Sequence, residues 1–166
     1  DVDAADYLYK QDVSTVIAAA IKLGRKLAPQ NQKLEIQADV HNPTLLYTMI
    51  EGNISKLIYA LGELISNALT FSKPGGHVQV RFRSDSSLAQ FSIIDHGHGM
   101  SESDIQRATQ PFEQIDRRHH GQQGLGLGLF LVSRIVEQHH GHLSIRSEVN
   151  QGTEVTIKLP FRQKGD

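Results

Sequence analysis

Two polar side chains stand at positions that suit metal or acid–base chemistry on the segment 53–72, "NISKLIYALGELISNALTFS". Apolar residues recur there at helical spacing, which predicts a long amphipathic helix. Glu63, Asn67 and Thr70 lie on the border of the apolar stripe, where a helix can line a cleft. Because an amide side chain competes with backbone hydrogen bonds, Asn67 is either a tolerated exposed residue or an oxygen ligand for a hard cation such as Mg²⁺. In the second case Glu63 would orient or deprotonate a water.

A buried carboxylate is predicted at the end of the run "LAQFSIID", whose pattern is typical of a strand. Phe91, Ile93 and Asp95 share one parity, so the Asp95 carboxylate is expected to point toward the covered face of a sheet. Burying that charge is costly unless polar groups meet it. Gly97 and Gly99 either allow a ligand to approach the backbone or form a tight turn that Asp95 caps.

The last hairpin supplies a second polar group for the same place. Its predicted turn is Asn150-Gln151-Gly152, and the strand that follows, "TEVTIKLPF", alternates. Val155, Ile157 and Leu159 face inward on this pattern, and Thr153 is in phase with them. The Thr153 hydroxyl is therefore expected near Asp95.

The stretch 121–130, "GQQGLGLGLF", brings glycines to the start of a predicted helix. A helix N-terminus offers unpaired N–H groups, and Gly124, Gly126 and Gly128 would let phosphate oxygens come close. The P-loop pattern fails because no lysine follows, and the dinucleotide fingerprint fails because Leu129 replaces its third glycine. Phosphate binding is predicted without either familiar motif.

Length and composition indicate one globular domain of 166 residues. The order of its predicted elements, given below, indicates an α+β architecture. The net charge of −1 gives no electrostatic case for nucleic acid, and the chain contains no cysteine. No apolar run is long enough to span a membrane. Since the sequence begins without Met, we expect it to be a piece of a longer protein.

The predicted elements alternate between helices and strand pairs. They are a helix over 11–28, a strand pair in 33–40 and 45–50, a helix over 53–72, strands 77–84 and 88–95, a short helix capped by Ser101, a loop over 107–124, a helix over 127–140 and strands 142–149 and 153–161. This order predicts a two-layer α/β sandwich, with a mixed, mostly antiparallel sheet covered on one face by three helices.

Five motifs taken in order give the chain a family resemblance. "ELISNALTFS", "DHGHGM", "PFEQ", "GQQGLGLGL" and "QGT" resemble the N, G1, F, G2 and G3 boxes of the catalytic ATP-binding domain of sensor histidine kinases. That domain belongs to the ATPase superfamily of gyrase, Hsp90 and MutL. The resemblance assigns residues 11–161 to this domain, residues 1–10 to an upstream linker and residues 162–166 to a tail. The family fold is a two-layer α/β sandwich.

The resemblance implies ATP and Mg²⁺ as cofactors and gives each motif a role. Asp95 would accept a hydrogen bond from the adenine amine with Thr153 close by, Gly97 and Gly99 would shape the base pocket, and Asn67 would ligate Mg²⁺. Residues 107–124 would form an ATP lid that Phe112 anchors, with Arg117 and Arg118 either facing phosphate or solvated. The phosphates would meet the residues of the G2 box: Gly124, Leu125, Gly126, Leu127 and Gly128.

Two positions depart from the family pattern. Histidine kinases commonly carry Asn at the position of Glu63, whereas the ATPase relatives and some kinases carry Glu. Glu63 is therefore the candidate catalytic residue, either as a base toward water or the acceptor imidazole or as a group that orients them. Thr70 stands where kinases commonly have Lys, so a cation available to phosphate is missing there.

The implied function is transfer of the ATP γ-phosphoryl group to a histidine on a separate dimerisation domain of the same protein, upstream of a response regulator. None of the nine histidines has the setting of an acceptor. The isolated domain is expected to be a cytoplasmic monomer, or the cytoplasmic part of a membrane-bound sensor. The alternatives are a non-kinase ATPase, in which Glu63 activates water, and a nucleotide-sensing module that recruits a partner.

Overall fold

The protein is described by a computed structural model, which covers residues 9–28, 35–85, 87–110 and 128–160. Its elements are β1 (Tyr9–Asp12), α1 (Val13–Leu27), β2 (Glu35–Val40), a 3₁₀ turn (Pro43–Tyr47), β3 (Met49–Gly52), α2 (Ile54–Phe71), β4 (His77–Ser84), β5 (Leu88–Asp95), α3 (Glu102–Ala108), α4 (Gly128–Gln138), β6 (His142–Glu148) and β7 (Gly152–Pro160). Among these residues, no helix has both the length and the apolar character that crossing a membrane requires.

The main sheet has five strands in the order β2-β4-β5-β7-β6. Only the pairing of β2 with β4 is parallel, and the other three pairings are antiparallel. The predicted mixed, mostly antiparallel sheet is thus confirmed. Across β5 and β7 the register places Asp95, the last residue of β5, opposite Thr153, near the start of β7.

One predicted strand pair is wrong. The segments in 33–40 and 45–50 were expected to pair with each other, yet β2 pairs with β4 in the main sheet and β3 pairs with β1 in a separate two-stranded sheet. The first half of the second segment is a 3₁₀ turn, which Asn42 caps by accepting a hydrogen bond from the Thr44 N–H. The short link between the two strands therefore changes sheet instead of closing a hairpin.

The helices lie on one face of the main sheet, as the sequence predicts. Helix α2 is central: it packs against α1 and α4 and rests on β4 and β5, while α4 packs on β6. The sheet residues of the core alternate along their strands, and they are Val78, Val80, Phe82, Ala89, Phe91, Ile93, Val155, Ile157 and Leu159. Burial of Phe91, Ile93 and Asp95 confirms the parity assigned to β5.

Helix ends follow their local sequence signals. Asn53 caps α2 by accepting a hydrogen bond from the Lys56 N–H, and Ser101 forms a capping box with Asp104 at the start of α3. At the far end of α4, the His139 imidazole joins two helices: its Nε2 accepts from the Asn53 N–H at 3.0 Å, and its Nδ1 bonds the Ile135 carbonyl. The start of α2 is thereby tied to the end of α4.

Candidate nucleotide site

A cleft opens between α2, the ends of β5 and β7, and the first turn of α4. The empty space within it, counted together with the open solvent at its mouth, is about 560 Å³. Its walls are mostly apolar, and of its polar side chains the sequence singled out Asn67, Asp95 and Thr153 but not His98. The lining residues are Leu64, Asn67, Ala68, Phe71, Ile93, Asp95, His98, Gly99, Met100, Leu129, Thr153 and Val155.

Asp95 is a buried acceptor on the floor of this cleft, with 7% of its surface exposed. Burial raises the pKa of its carboxyl above the ordinary value of 3.8. The backbone N–H groups of Gly97 and Thr153 oppose that rise in pKa, and Oδ1 accepts from Gly97 at 2.8 Å. Two N–H donors leave lone pairs of the carboxylate available, so Asp95 can accept a further hydrogen bond from a group in the cleft.

Gly97 and Gly99 lie in close contact with other backbone segments of the protein. A Cβ on Gly97 would lie 2.0 Å from the Phe71 carbonyl oxygen, and one on Gly99 would lie 1.9 Å from the Glu148 carbonyl oxygen. Gly99 also has a φ of +65°, which favours glycine. The loop is held on both sides, since the His98 N–H donates to Phe71 and the His98 carbonyl accepts from the Asn150 N–H at 2.7 Å. These glycines thus permit a tight turn in which the Gly97 N–H donates to Asp95.

The other end of the cleft brings Asn67 and Glu63 to the start of α4. A Cβ on Gly128 would lie 3.3 Å from Oε2 of Glu63 and 3.8 Å from Nδ2 of Asn67. Nδ2 of Asn67 is buried and has no hydrogen-bond partner among the described residues. Since buried polar groups are almost always paired, this amide is available to a group other than the described residues.

Comparison with known proteins identifies the fold and the motifs together. Residues 52–163 match the family described as histidine kinase-, DNA gyrase B-, and HSP90-like ATPase. The chain belongs to this family. The predicted resemblance and the predicted two-layer sandwich are both confirmed.

Two proteins with similar sequences are named as histidine kinases. The chain is 40% identical over 108 residues to the circadian input-output histidine kinase CikA of Synechococcus elongatus, covering 63% of this chain and 14% of that protein. It is 32% identical over 105 residues to the sensor histidine kinase SpaK of Bacillus subtilis, covering 63% of this chain and 23% of that protein. The chain therefore matches less than a quarter of the length of either relative.

Solved structures of histidine kinases have the same fold as this chain. The mycobacterial sensor histidine kinase MprB superposes with a TM-score of 0.73 at 26% identity, over 92% of this chain and 97% of that one. Full-length ShkA in complex with AMPPNP superposes with a TM-score of 0.77 at 25% identity, over 96% of this chain and 32% of that one. This chain therefore has the fold of the ATP-binding catalytic domain of histidine kinases.

The family motifs did not reveal Tyr59, one helical turn before Glu63 on α2. Burial, the charge of Glu63 and a hydrogen bond to Glu63 all raise the pKa of the Tyr59 phenol. The Tyr59 hydroxyl therefore lies near the Glu63 carboxylate. The i, i+4 spacing of the two residues is the sequence signal that pointed to their contact.

Thr70 stands where histidine kinases commonly have a lysine, and its hydroxyl bonds its own helix. Its hydroxyl donates to the Ser66 carbonyl at 2.7 Å, within its own helix. Such a bond back to the helix backbone is common for threonine. The Thr70 hydroxyl therefore uses its proton in a hydrogen bond within α2.

Ser147 on β6 is a further residue that the motifs did not reveal. It is the register partner of Thr153, and its hydroxyl contacts both the loop after β5 and the start of β7. The predicted turn Asn150-Gln151-Gly152 is centred one residue later than the register that pairs Ser147 with Thr153, so the sequence did not bring these two residues together.

Several predicted site residues lie outside the described residues. They are Phe112, Arg117, Arg118, Gly124, Leu125, Gly126 and Leu127.

Proposed function

We propose that this chain binds Mg·ATP in the cleft and is the catalytic domain of a sensor histidine kinase. The acceptor would be a histidine on a separate dimerisation domain of the same protein, and a response regulator would receive the phosphoryl group next. The observation that carries the proposal is the pair of polar groups at opposite ends of one apolar cleft. Asp95 supplies a buried acceptor at one end, and Asn67 supplies at the other a buried amide nitrogen that none of the described residues pairs.

The Asp95 end suits a purine base. A carboxylate that keeps free lone pairs would accept a hydrogen bond from an exocyclic amine, with the Thr153 hydroxyl beside it. Ile93, Leu129 and Val155 give the flat ring apolar walls. Gly97 and Gly99 serve the base indirectly, because they allow the backbone packing that fixes the pocket.

The Asn67 end suits phosphates and a cation. A half-turn of the amide would present Oδ1 in place of Nδ2, and a carboxamide oxygen is a ligand that Mg²⁺ accepts. Mg²⁺ bound there would neutralise phosphate charge. Gly128 at the start of α4 leaves room for a phosphate oxygen beside Glu63 and Asn67. We assign the remaining phosphate contacts to Gly124, Leu125, Gly126 and Leu127, and the anchoring of a lid to Phe112.

Catalysis would rest on placement and on the charge around the γ-phosphoryl group. Glu63 lies beside the start of α4, near the Tyr59 hydroxyl. From there it would accept a proton from the attacking nucleophile or orient it. The same residue supports the second candidate, a non-kinase ATPase, in which the nucleophile is water.

Phosphotransfer in the parent protein separates these functions. The parent with its upstream helical hairpin is incubated with ATP labelled at the γ-phosphate. Label on the hairpin that is labile in acid and stable in base would identify phosphohistidine and support the kinase. Release of free phosphate with an unlabelled hairpin would support the ATPase, and ATP binding with neither reaction would support a nucleotide-sensing module.

A further inference from the structure

The Ser147 hydroxyl makes three contacts at the back of the proposed base pocket. Its Oγ accepts from the Met100 N–H at 2.8 Å and lies 2.9 Å from the carbonyl oxygen of Gly152. Oγ also lies 2.7 Å from Oγ1 of Thr153. These contacts join β6, β7 and the loop after β5, while Met100 and Thr153 line the cleft.

The single proton of Ser147 decides the direction of the third contact. A carbonyl oxygen can only accept, so the Ser147 hydroxyl donates its proton to Gly152. The contact with Thr153 then needs the proton of Thr153, which must point at Ser147 and away from the cleft. Thr153 consequently offers the cleft lone pairs and no donor.

We propose that Ser147 is a positioning residue that makes the Thr153 hydroxyl, like the Asp95 carboxylate beside it, accept hydrogen bonds only, and so favours a purine with an amino group at position 6. Asp95 is an acceptor, and the orientation of Thr153 makes it a second one. A 6-oxo purine would place a carbonyl oxygen where neither side chain donates, and an unpaired buried acceptor is penalised strongly. The inference rests on the proposed binding of a purine nucleotide.

A purely structural role for Ser147 makes a different prediction. Loss of the bond to the Met100 N–H would loosen the loop after β5 and weaken every nucleotide alike. Loss of the orientation of Thr153 would instead free its proton to donate into the cleft, where a 6-oxo group can use it. The ratio of the two affinities therefore separates selection from simple support.

The test measures dissociation constants for ATP and inosine triphosphate by calorimetry on the chain and its variants. We expect the wild type to bind ATP about tenfold more tightly or better, a difference of about 1.4 kcal/mol. Ser147→Ala should reduce this preference by about threefold or more. Ser147→Thr keeps a hydroxyl and should retain the preference. Ser144→Ala is the matched control, because Ser144 is an exposed serine on the same strand.

A second variant ties the effect to Thr153. Thr153→Val removes the hydroxyl that Ser147 orients and should itself lower the preference for ATP, even if Ser147→Ala does not fold. In the Thr153→Val background, Ser147→Ala should change the preference no further. Equal weakening of both nucleotides by Ser147→Ala, or a Thr153→Val variant with the wild-type preference, overturns the inference alone. A wild type that binds neither nucleotide overturns the proposed function instead.

Discussion

A Cβ atom added to Gly97 would lie 2.0 Å from the carbonyl oxygen of Phe71, the last residue of α2. The obstacle is backbone, which cannot move aside as the end of a side chain can. We expect Gly97→Ala to lower the free energy of unfolding by about 2 kcal/mol or more, because the loop must separate from α2. Urea denaturation followed by circular dichroism measures the loss.

Gly75 is the matched control for this substitution. It has a φ of +77°, and a Cβ there would meet nothing within 4 Å. Gly75→Ala should therefore cost only the backbone strain of the left-handed region, about 1 to 2 kcal/mol. A Gly97→Ala variant that is as stable as the wild type would contradict the steric argument.

Local pattern was enough to place the two polar residues that matter most for the base pocket. Alternation along β5 and β7 predicted that Asp95 and Thr153 share a covered face, and the register makes them partners. The border position of Asn67 on α2 likewise follows from helical spacing alone. In these cases the burial of each neighbour fixes the orientation of the side chain.

Pairing between distant segments could not be predicted in the same way. The strands β2 and β3 are neighbours in sequence, but the partner of each is set by tertiary packing that no local pattern records. Ser147 carries no signature either, since a serine on a half-exposed strand is ordinary. Its contact with Met100 depends on how the loop after β5 folds back.

Asp95→Asn should weaken ATP binding about tenfold or more, a loss of about 1.4 kcal/mol. The amide removes the charge and replaces one acceptor with a donor, which opposes an amino group on the base. Calorimetry at neutral pH measures the affinity. Asp85→Asn is the control, because Asp85 is exposed and caps its own turn. Unchanged affinity in Asp95→Asn would remove Asp95 from the base pocket.

Asp95 also makes stability depend on pH. Burial raises the pKa of its carboxyl above 3.8 in the folded state. The stability that this group contributes is therefore fully present below pH 3.8 and is lost as the pH rises through the raised folded-state pKa. Asparagine does not titrate, so the free energy of unfolding of Asp95→Asn minus that of the wild type should increase from acid to neutral pH. A difference that stays constant over this range would contradict the raised pKa.

Asn67→Leu should separate stability from nucleotide binding. The substitution removes a buried Nδ2 that has no partner among the described residues. We therefore expect the unfolding temperature of the variant to equal or exceed that of the wild type. Its affinity for ATP should fall about tenfold or more, and the gain from adding Mg²⁺ should disappear. Asn53→Leu is the contrasting control, since loss of the α2 N-cap should cost about 1 kcal/mol of stability. Enhancement of ATP binding by Mg²⁺ in Asn67→Leu would exclude Asn67 as a ligand.

Glu63→Gln should lower the rate of phosphotransfer in the parent protein by about 100-fold or more while ATP affinity stays close to the wild-type value. The amide keeps the size of the side chain but cannot take a proton from the nucleophile. Tyr59→Phe should cause a smaller loss of rate, because it removes only the hydroxyl that lies near the Glu63 carboxylate. Rates are measured by rapid quench, and Glu137→Gln on the exposed side of α4 serves as the control. If Glu63→Gln transfers phosphoryl at the wild-type rate, Glu63 takes no proton in the reaction, and its contact with Tyr59 serves only to shape the cleft.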